Sequence, residues 1–533
     1  MSKFALSLIL VLCGFSLSRA QVWSPDNGDG TYRNPIIYAD YSDPDVLRVG
    51  DDYYMVASSF TCAPGIPVLH SKDLVNWTIV NHVYTSIPLS NYERPNHGQG
   101  SWAPSIRYHD GKYMVYFCTP KEGLFVAYTD DPRKEWTLKH IVHVAQWEDP
   151  CPFWDDDGKA YLVHSKLCGG PAILHRMSDD GLSLLDDGRV VYWDEEENPV
   201  LEGLKMMKRN GWYYILAPAG GVANGWQSVL RSRNIYGPYE SRKVLEEGNG
   251  INGPHQGGLV DTPYGEWWFI HFQSTPAFGR IVHLQPARWE EDWPLMGVDC
   301  DNDGCGEPVL TYRKPRSDYR GGAVVPQTSD DFSSPTLGKQ WQWMAAPQAK
   351  WYSLTEREGY IRLFAASVPE EEGNLNYAGN LLLQKTPAPN FRATAEVDVR
   401  GLAGKERCGL IVMGNTHTYL NAERDGDGYV LYLRTGKYEN CGFPPVELAS
   451  VDFAGGTILL RADITEDATC QYSYSLDGER FEKIGAPVAV ETGQWIGAKI
   501  GIFCINPGIH DGSGHADFAR FEVEPLAREA ASN

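Results

Sequence analysis

Positive charge is scarce in this chain: 47 Lys and Arg stand against 69 Asp and Glu, a formal charge of −22 over 533 residues. A nucleic-acid or anionic-membrane partner needs a basic surface, so the composition argues against both. Long hydrophobic runs are missing as well, and no stretch approaches the ~18 consecutive apolar residues of a bilayer span. The cysteines form no CxxC pair and no Cys/His cluster at zinc spacing, which argues against a structural zinc. No GxSxG, no paired Ser/His and no phosphate-cradling glycine loop is present, so the usual signatures of acyl and phosphoryl transfer are absent.

What the chain does have is apolar and aromatic. Hydrophobic residues make up 42%, ample for a packed core, and 17 Trp and 29 Tyr suit sugar-stacking surfaces as well as aromatic-rich strands. A prior of roughly 150 residues per domain gives three or four units, but two large all-β domains are equally allowed. The first twenty residues read as a cleavable export signal: Lys3, an apolar run from Phe4 to Phe15, then Ser18-Arg19-Ala20. Leu12 before Cys13 is too bulky for a lipoprotein site. The expectation is cleavage after Ala20 and a periplasmic or secreted protein. Ten cysteines remain, at 62, 118, 151, 168, 300, 305, 408, 441, 470 and 504. An even number permits disulfides without assigning them; buried thiols with one or two bridges and a full set both stay open.

A turn glycine followed by an aromatic-rich strand occurs five times, at Gly50, Gly111, Gly158, Gly211 and Gly265, spaced 61, 47, 53 and 54 residues apart. Asp or Asn usually precedes the glycine, which is hairpin chemistry. The spacing fits a four-stranded blade and predicts a five-bladed β-propeller. The strand before each turn should be the innermost. About nine residues before each glycine stand Asp43, Trp102, Asp149, Glu202 and His255, each with Pro or Gly nearby. Five equivalent positions would converge on one axial pocket holding three carboxylates, a Trp and a His. From about 314 to 331 turn formers mark a linker, and beyond Phe332 short alternating segments predict a two-sheet sandwich of about 200 residues. The expected division is a leader over 1–20, a propeller over 21–325 and a β-sandwich over 326–533.

Glycosidic cleavage needs one carboxylic acid to protonate the leaving oxygen and one carboxylate to activate water or attack carbon. A third carboxylate beside the acid can tune it, because crowded like charges disfavour ionisation. At this point the residues resemble glycoside hydrolase family 43, whose members include β-xylosidases, α-L-arabinofuranosidases and arabinanases. Tyr41-Ser42-Asp43-Pro44-Asp45-Val46 is similar to the family's base motif and implies Asp43 as general base. Trp147-Glu148-Asp149-Pro150 implies Asp149 as pKa modulator, and Leu201-Glu202-Gly203 implies Glu202 as general acid. The inverting mechanism that the resemblance implies would set Asp43 and Glu202 on the order of 6.5–9.5 Å apart. Phe60 and Trp102 resemble the lining of the terminal-sugar subsite in exo-acting members. Arg280 matches a substrate-gripping arginine, and His255 an axial histidine that in several relatives helps hold calcium through water. The second domain resembles the concanavalin-like β-sandwich of family xylosidases, which walls one side of the pocket.

The resemblance implies an exo-glycosidase needing no cofactor for its chemistry, acting on plant cell-wall hemicellulose such as xyloglucan or arabinoxylan. Terminal α-L-arabinofuranose is preferred over β-D-xylose as the sugar released, with an arabinanase as the further rival. A binding-module pair without catalysis would lack one of the three carboxylates, and a purely structural propeller has only fold analogy behind it. Asp299, Asp301 and Asp303 follow the spacing of a calcium loop, but Leu310 stands where the bidentate Glu would be. Structural Ca²⁺ there, or an acidic turn stapled by Cys300 and Cys305, are the two readings. The sequence does not fix the oligomeric state.

Overall fold

The computed structural model describes residues 21–368, 374–438 and 444–526. The expected leader and Cys441 therefore lie outside the described residues. The first domain is a five-bladed β-propeller in which every blade is one unbroken stretch of chain. Blade 1 holds Asp45–Val49, Asp52–Val56, Gly65–Ser71 and Thr78–Tyr84; blade 2 holds Trp102–His109, Lys112–Thr119, Gly123–Thr129 and Thr137–His143. Blade 3 is Trp147–Trp154, Ala160–Lys166, Ala172–Met177 and Arg189–Tyr192, and blade 4 is Lys205–Arg209, Trp212–Ala219, Trp226–Ser232 and Glu240–Leu245. Blade 5 closes the ring with His255–Asp261, Trp267–Thr275, Gly279–Glu290 and Trp293–Met296. The strands pair antiparallel in sequence order, so the first strand of each blade is innermost. All five turn glycines adopt the left-handed backbone (φ 63° to 79°), and Asp110 and Asn210 do so before theirs, as tight hairpins require.

Blades pack face to face through five hydrophobic clusters, one at each blade boundary. The seam between blades 5 and 1 has no shared strand. Its apolar cluster joins Val46, Met55 and Leu69 of blade 1 to Trp268, Ile270 and Leu284 of blade 5. A strap ahead of blade 1 adds polar contacts across that seam. Tyr32 Oη donates to Leu284 O at 2.8 Å, and Asn34 Nδ2 donates to Leu284 O (2.8 Å) and Val309 O (2.7 Å). Asn34 Oδ1 accepts the Leu284 N–H at 2.8 Å.

The second domain is a β-sandwich of two eight-stranded, largely antiparallel sheets. Its core includes Trp341, Trp351, Phe391, Phe518 and Phe521, and reaches Ala277 and Phe278 of the propeller. Backbone pairs stitch the domains together. Ala63 and Trp343 exchange N–H···O bonds at 2.9 and 2.6 Å, Ala346 N donates to Tyr92 O at 2.9 Å, and Ala498 N donates to Ala277 O at 2.6 Å. The cysteine expectation needs correction: Cys62, Cys118, Cys151, Cys168, Cys300, Cys305, Cys408, Cys470 and Cys504 are all free. Seven of them are buried, where a small thiol packs as a hydrophobe without a partner. No staple joins Cys300 to Cys305.

Replacing Asn34 with Ala leaves the Leu284 N–H without its acceptor and the Val309 carbonyl without its Asn34 donor at the seam. We expect a loss of about 1–3 kcal/mol in urea unfolding, with turnover per folded molecule unchanged. Unaltered stability would show that the strap does not help close the ring.

Candidate active site

At the upper end of each innermost strand one residue takes a left-handed backbone: Asp43 (φ 52°), Ala103 (29°), Asp149 (55°), Gly203 (65°) and Gln256 (49°). The ladder register slips there in three blades, between Trp102 and Ser105, Glu148 and Cys151, and His255 and Gly257. Such a bulge turns the chain so that neighbouring side chains aim away from the strand's regular alternation. In blade 4 the position must be glycine, because a Cβ on Gly203 would lie 2.5 Å from Pro218 Cγ and 2.8 Å from Gln256 Cγ.

This repeat corrects the phase read from the sequence. Asp43 and Asp149 occupy the left-handed position itself, whereas Trp102, Glu202 and His255 stand one residue before it. Glu148 is the blade 3 equivalent of that second group. It is a fourth carboxyl, missed by counting back from the glycines.

The side chains gather around a cavity of about 360 Å³ lined by Asp43, Phe60, Trp102, Glu148, Asp149, Cys168, Glu202, Gln256, Arg280 and Trp495, among others. Asp43 is 2% exposed. Its Oδ1 accepts from Arg280 Nη1 at 2.5 Å and its Oδ2 from Ser58 Oγ at 2.6 Å. Ser58 Oγ in turn accepts the Ala103 N–H at 2.8 Å, so blade 2 helps orient the blade 1 carboxylate. Arg280 is fixed from behind by its own N–H, which donates to Asp40 Oδ1 at 2.9 Å. Phe60 and Trp102 meet edge to face at 5.3 Å, and the Arg280 guanidinium lies 5.4 Å from the Phe60 ring centre.

The opposite side of the cavity is acidic. One oxygen each of Glu148, Asp149 and Glu202 lies within 4.8 Å of the others. Asp149 Oδ2 accepts the Gly203 N–H at 2.5 Å, gripping the peptide next to Glu202. Burial, and then the Glu202 charge, push the Asp149 carboxyl well above its ordinary value, against the pull of Lys205 and the Gly203 N–H. Glu148 is raised further still, chiefly by burial and then by Asp149 and Glu202. Its oxygens accept N–H groups of Cys168 (3.2 Å) and Gly169 (3.0 Å). His255, expected in the cavity lining, stands behind Glu202 instead: it is fully buried, with Nε2 2.7 Å from Glu202 Oε1.

Trp495 is the other residue the sequence did not reveal. It comes from the sandwich, at the tip of a turn closed by Gly493 N–H to Ile496 O (2.9 Å), and meets Trp102 at 5.7 Å. No repeat or motif marks it, because only the packing of the two domains brings it to the cavity.

Neither expected calcium position is strengthened by the residues present. Asp299, Asp301 and Asp303 do cluster, and oxygen donors suit a hard cation. Their oxygens, however, accept the loop's own N–H groups: Asp299 from Asn302 and Gly304, Asp301 from Asp303, Asp303 from Cys305. Leu310 at the twelfth position supplies no carboxylate. At His255, Nε2 is engaged by Glu202, while Nδ1 is buried without a partner among the described residues and faces Gly225, where a Cβ would lie 2.7 Å away.

Aromatic rings beside a cation-paired carboxylate and a group of crowded carboxyls suit glycosidic cleavage. Residues 32–294 match the model of glycosyl hydrolases family 43, and residues 329–524 match that of the beta xylosidase C-terminal concanavalin A-like domain. The chain belongs to glycoside hydrolase family 43. It is 45% identical over 484 residues to a putative beta-xylosidase of Xylanibacter ruminicola, covering 89% of this chain and 86% of the relative. It is 35% identical to a beta-xylosidase of Formosa agariphila, over 97% of this chain and 94% of that one. Identity to the non-reducing end alpha-L-arabinofuranosidase BoGH43B of Bacteroides ovatus is 28%, over 99% of this chain and the whole relative. Among solved structures, a bifunctional GH43-CE protein of Bacteroides eggerthii superposes with a TM-score of 0.82 at 28% identity, covering 93% of this chain and 64% of that one.

Glu148 binds its proton more tightly in the folded than in the unfolded state, because burial raises its pKa. Folded stability is therefore lost as pH climbs from the unfolded carboxylate range, about 4.3, toward the folded value, at about 1.4 kcal/mol per pH unit. Glu148→Gln should melt higher than the wild type at about pH 8, and the two should converge near about pH 4. A constant difference between the two melting curves at all pH values would contradict this linkage.

Proposed function

We propose that the protein is an exo-acting, inverting glycosidase that removes terminal β-D-xylosyl residues from plant hemicellulose fragments. Asp43 serves as general base, Glu202 as general acid, and Asp149 orients and tunes the acid. The observation that carries the assignment is the unequal setting of the carboxyls. Asp43 accepts from Arg280 and Ser58 and suits an anionic acceptor, whereas Glu202 stands among other carboxyls. Asp43 removes a proton from water as its oxygen attacks the anomeric carbon. The bond from that carbon to the leaving oxygen breaks on the far side, and Glu202 gives that oxygen its proton. Asp149 acts through the Gly203 peptide and its charge. Phe60, Trp102 and Trp495 support the exo reading, because these three rings line the cavity in mutual contact and suit stacking on a single terminal sugar.

The sugar itself is a change of preference. The family resemblance read from the sequence favours arabinose, but the two relatives of 45% and 35% identity are named as beta-xylosidases, against 28% for the arabinofuranosidase. Terminal α-L-arabinofuranosyl release, from xyloglucan or arabinoxylan side chains, is kept as the second reading on the strength of that relative. Export through the leader read at residues 1–20 belongs to the same proposal and agrees with a polymer-derived substrate.

The deciding measurement is kcat/KM on aryl β-D-xylopyranoside and aryl α-L-arabinofuranoside. The expected ratio favours the xyloside; a large ratio the other way would reinstate the arabinofuranosidase. Asp43→Ala and Glu202→Ala should each lower kcat on natural glycosides by about 10³-fold or more while the protein stays folded. Full activity of Glu202→Ala would remove it as the acid.

A further inference from the structure

One level below the left-handed positions the innermost strands contribute Asp45, Ser105, Cys151, Lys205 and Gly258. These residues pair in matching register with Val56, Tyr116, Val163, Leu216 and Ile270 of the second strands. All five are buried. This level lies around the axis directly under the carboxyls, and its charges can be accounted for one at a time.

Asp45 is matched. Its Oδ2 accepts from Arg107 Nη1 at 2.6 Å and from Ile106 N at 2.9 Å. Its Oδ1 lies where a Cβ on Gly258 would come within 2.8 Å, so blade 5 leaves it room only by presenting glycine. Arg107 Nη1 also donates to Ile106 O at 2.6 Å and its Nη2 to Cys151 Sγ at 2.9 Å, and that sulfur accepts the Met206 N–H at 3.2 Å. Arg107 and Asp45 thus neutralise each other within this level.

Lys205 is left over. It is 1% exposed, and its Nζ makes no hydrogen bond within the described structure. An ammonium removed from water needs a counter-charge. The acidic groups at hand are those one level up, in the Glu148, Asp149 and Glu202 cluster. The Lys205 charge acts on Asp149 through space, opposing the effect of burial.

We propose that Lys205 is the internal counter-ion of this carboxyl cluster, a positioning residue that fixes how many protons the cluster holds during turnover. The charged and titratable groups around it are Asp43 and Asp45 of blade 1, Arg107 of blade 2, and Glu148, Asp149 and Cys151 of blade 3. Glu202 of its own blade, His255 and His271 of blade 5, Arg280 paired with Asp43, and Cys118 of blade 2 beside Asp149 and Glu148 belong to the same surroundings. With the ammonium gone, the cluster keeps its protons to higher pH, so activity shifts toward alkaline conditions. The inference rests on the roles proposed above for Glu202 and Asp149.

The test is the pH profile of kcat/KM on an aryl glycoside for Lys205→Met and Lys205→Arg. The expected result is a profile displaced upward by about one pH unit in Lys205→Met and returned to the wild-type position in Lys205→Arg. An unmoved profile in Lys205→Met, or an equal displacement in both variants, would overturn the proposal. If Lys205→Met does not accumulate as folded protein, wild-type enzyme labelled with ¹⁵N-lysine decides. An amine that stays charged through the range of activity supports the counter-ion; a neutral amine there refutes it. Failure here is distinguishable from failure of the function itself. A fully active Glu202→Ala removes the acid, whereas an unmoved Lys205→Met profile beside an inactive Glu202→Ala removes only the counter-ion.

Discussion

Five strands cannot converge on one axis with their side chains in regular alternation. The left-handed residue near the top of each innermost strand relieves that crowding. At Asp43, Ala103, Asp149, Gly203 and Gln256 the chain leaves ordinary strand geometry, at a cost on the order of 1–3 kcal/mol each for the non-glycine residues. The close packing of the blades at their five apolar boundaries holds these positions in place. In return the side chains at and just before the twist reach a common centre, which no straight strand would allow. The gathering of these side chains at one centre is thus a by-product of how a narrow ring is closed.

Electrostatics is the second constraint. Placing Glu148, Asp149 and Glu202 so close together is unfavourable, and burial makes it more so. The structure answers with partners of different kinds. Arg280 and Ser58 donate to Asp43, backbone N–H groups donate to Asp149 and Glu148, and the His255 ring shares a hydrogen bond with Glu202. Each carboxyl has its own support: Ser58 comes from blade 1, Gly169 from blade 3, Gly203 from the entry to blade 4, and Arg280 and His255 both from blade 5. That division lets similar side chains take unlike roles within one small cavity.

Much of this was legible in the residues. The turn glycines and their aromatic strands give the blade count, because a tight hairpin demands a left-handed residue and leaves a recognisable trace. Asp43, Asp149 and Glu202 follow from the blade period. The phase within the period did not, since stepping back a fixed distance tolerates an error of one residue and a bulge inserts one. Glu148 was hidden for that reason, next to the Asp149 it resembles. The histidine was placed correctly along the chain but assigned to the wrong side of Glu202, a matter of side-chain direction alone. An export signal leaves the state of the thiols open, whereas the nine described cysteines are all free, seven of them buried. Trp495 lies beyond any local pattern.

The borrowed tryptophan carries a broader meaning. A pocket finished by a loop from another domain is owned jointly, so neither domain can drift on its own without altering what fits between them. Widening the propeller side for a larger sugar leaves a gap unless the turn around Trp495 follows. Changes to that turn in turn tighten or relax selection on Trp102 opposite. The two halves of this chain are therefore bound to inherit together, and the interface between them is the place where substrate choice can evolve.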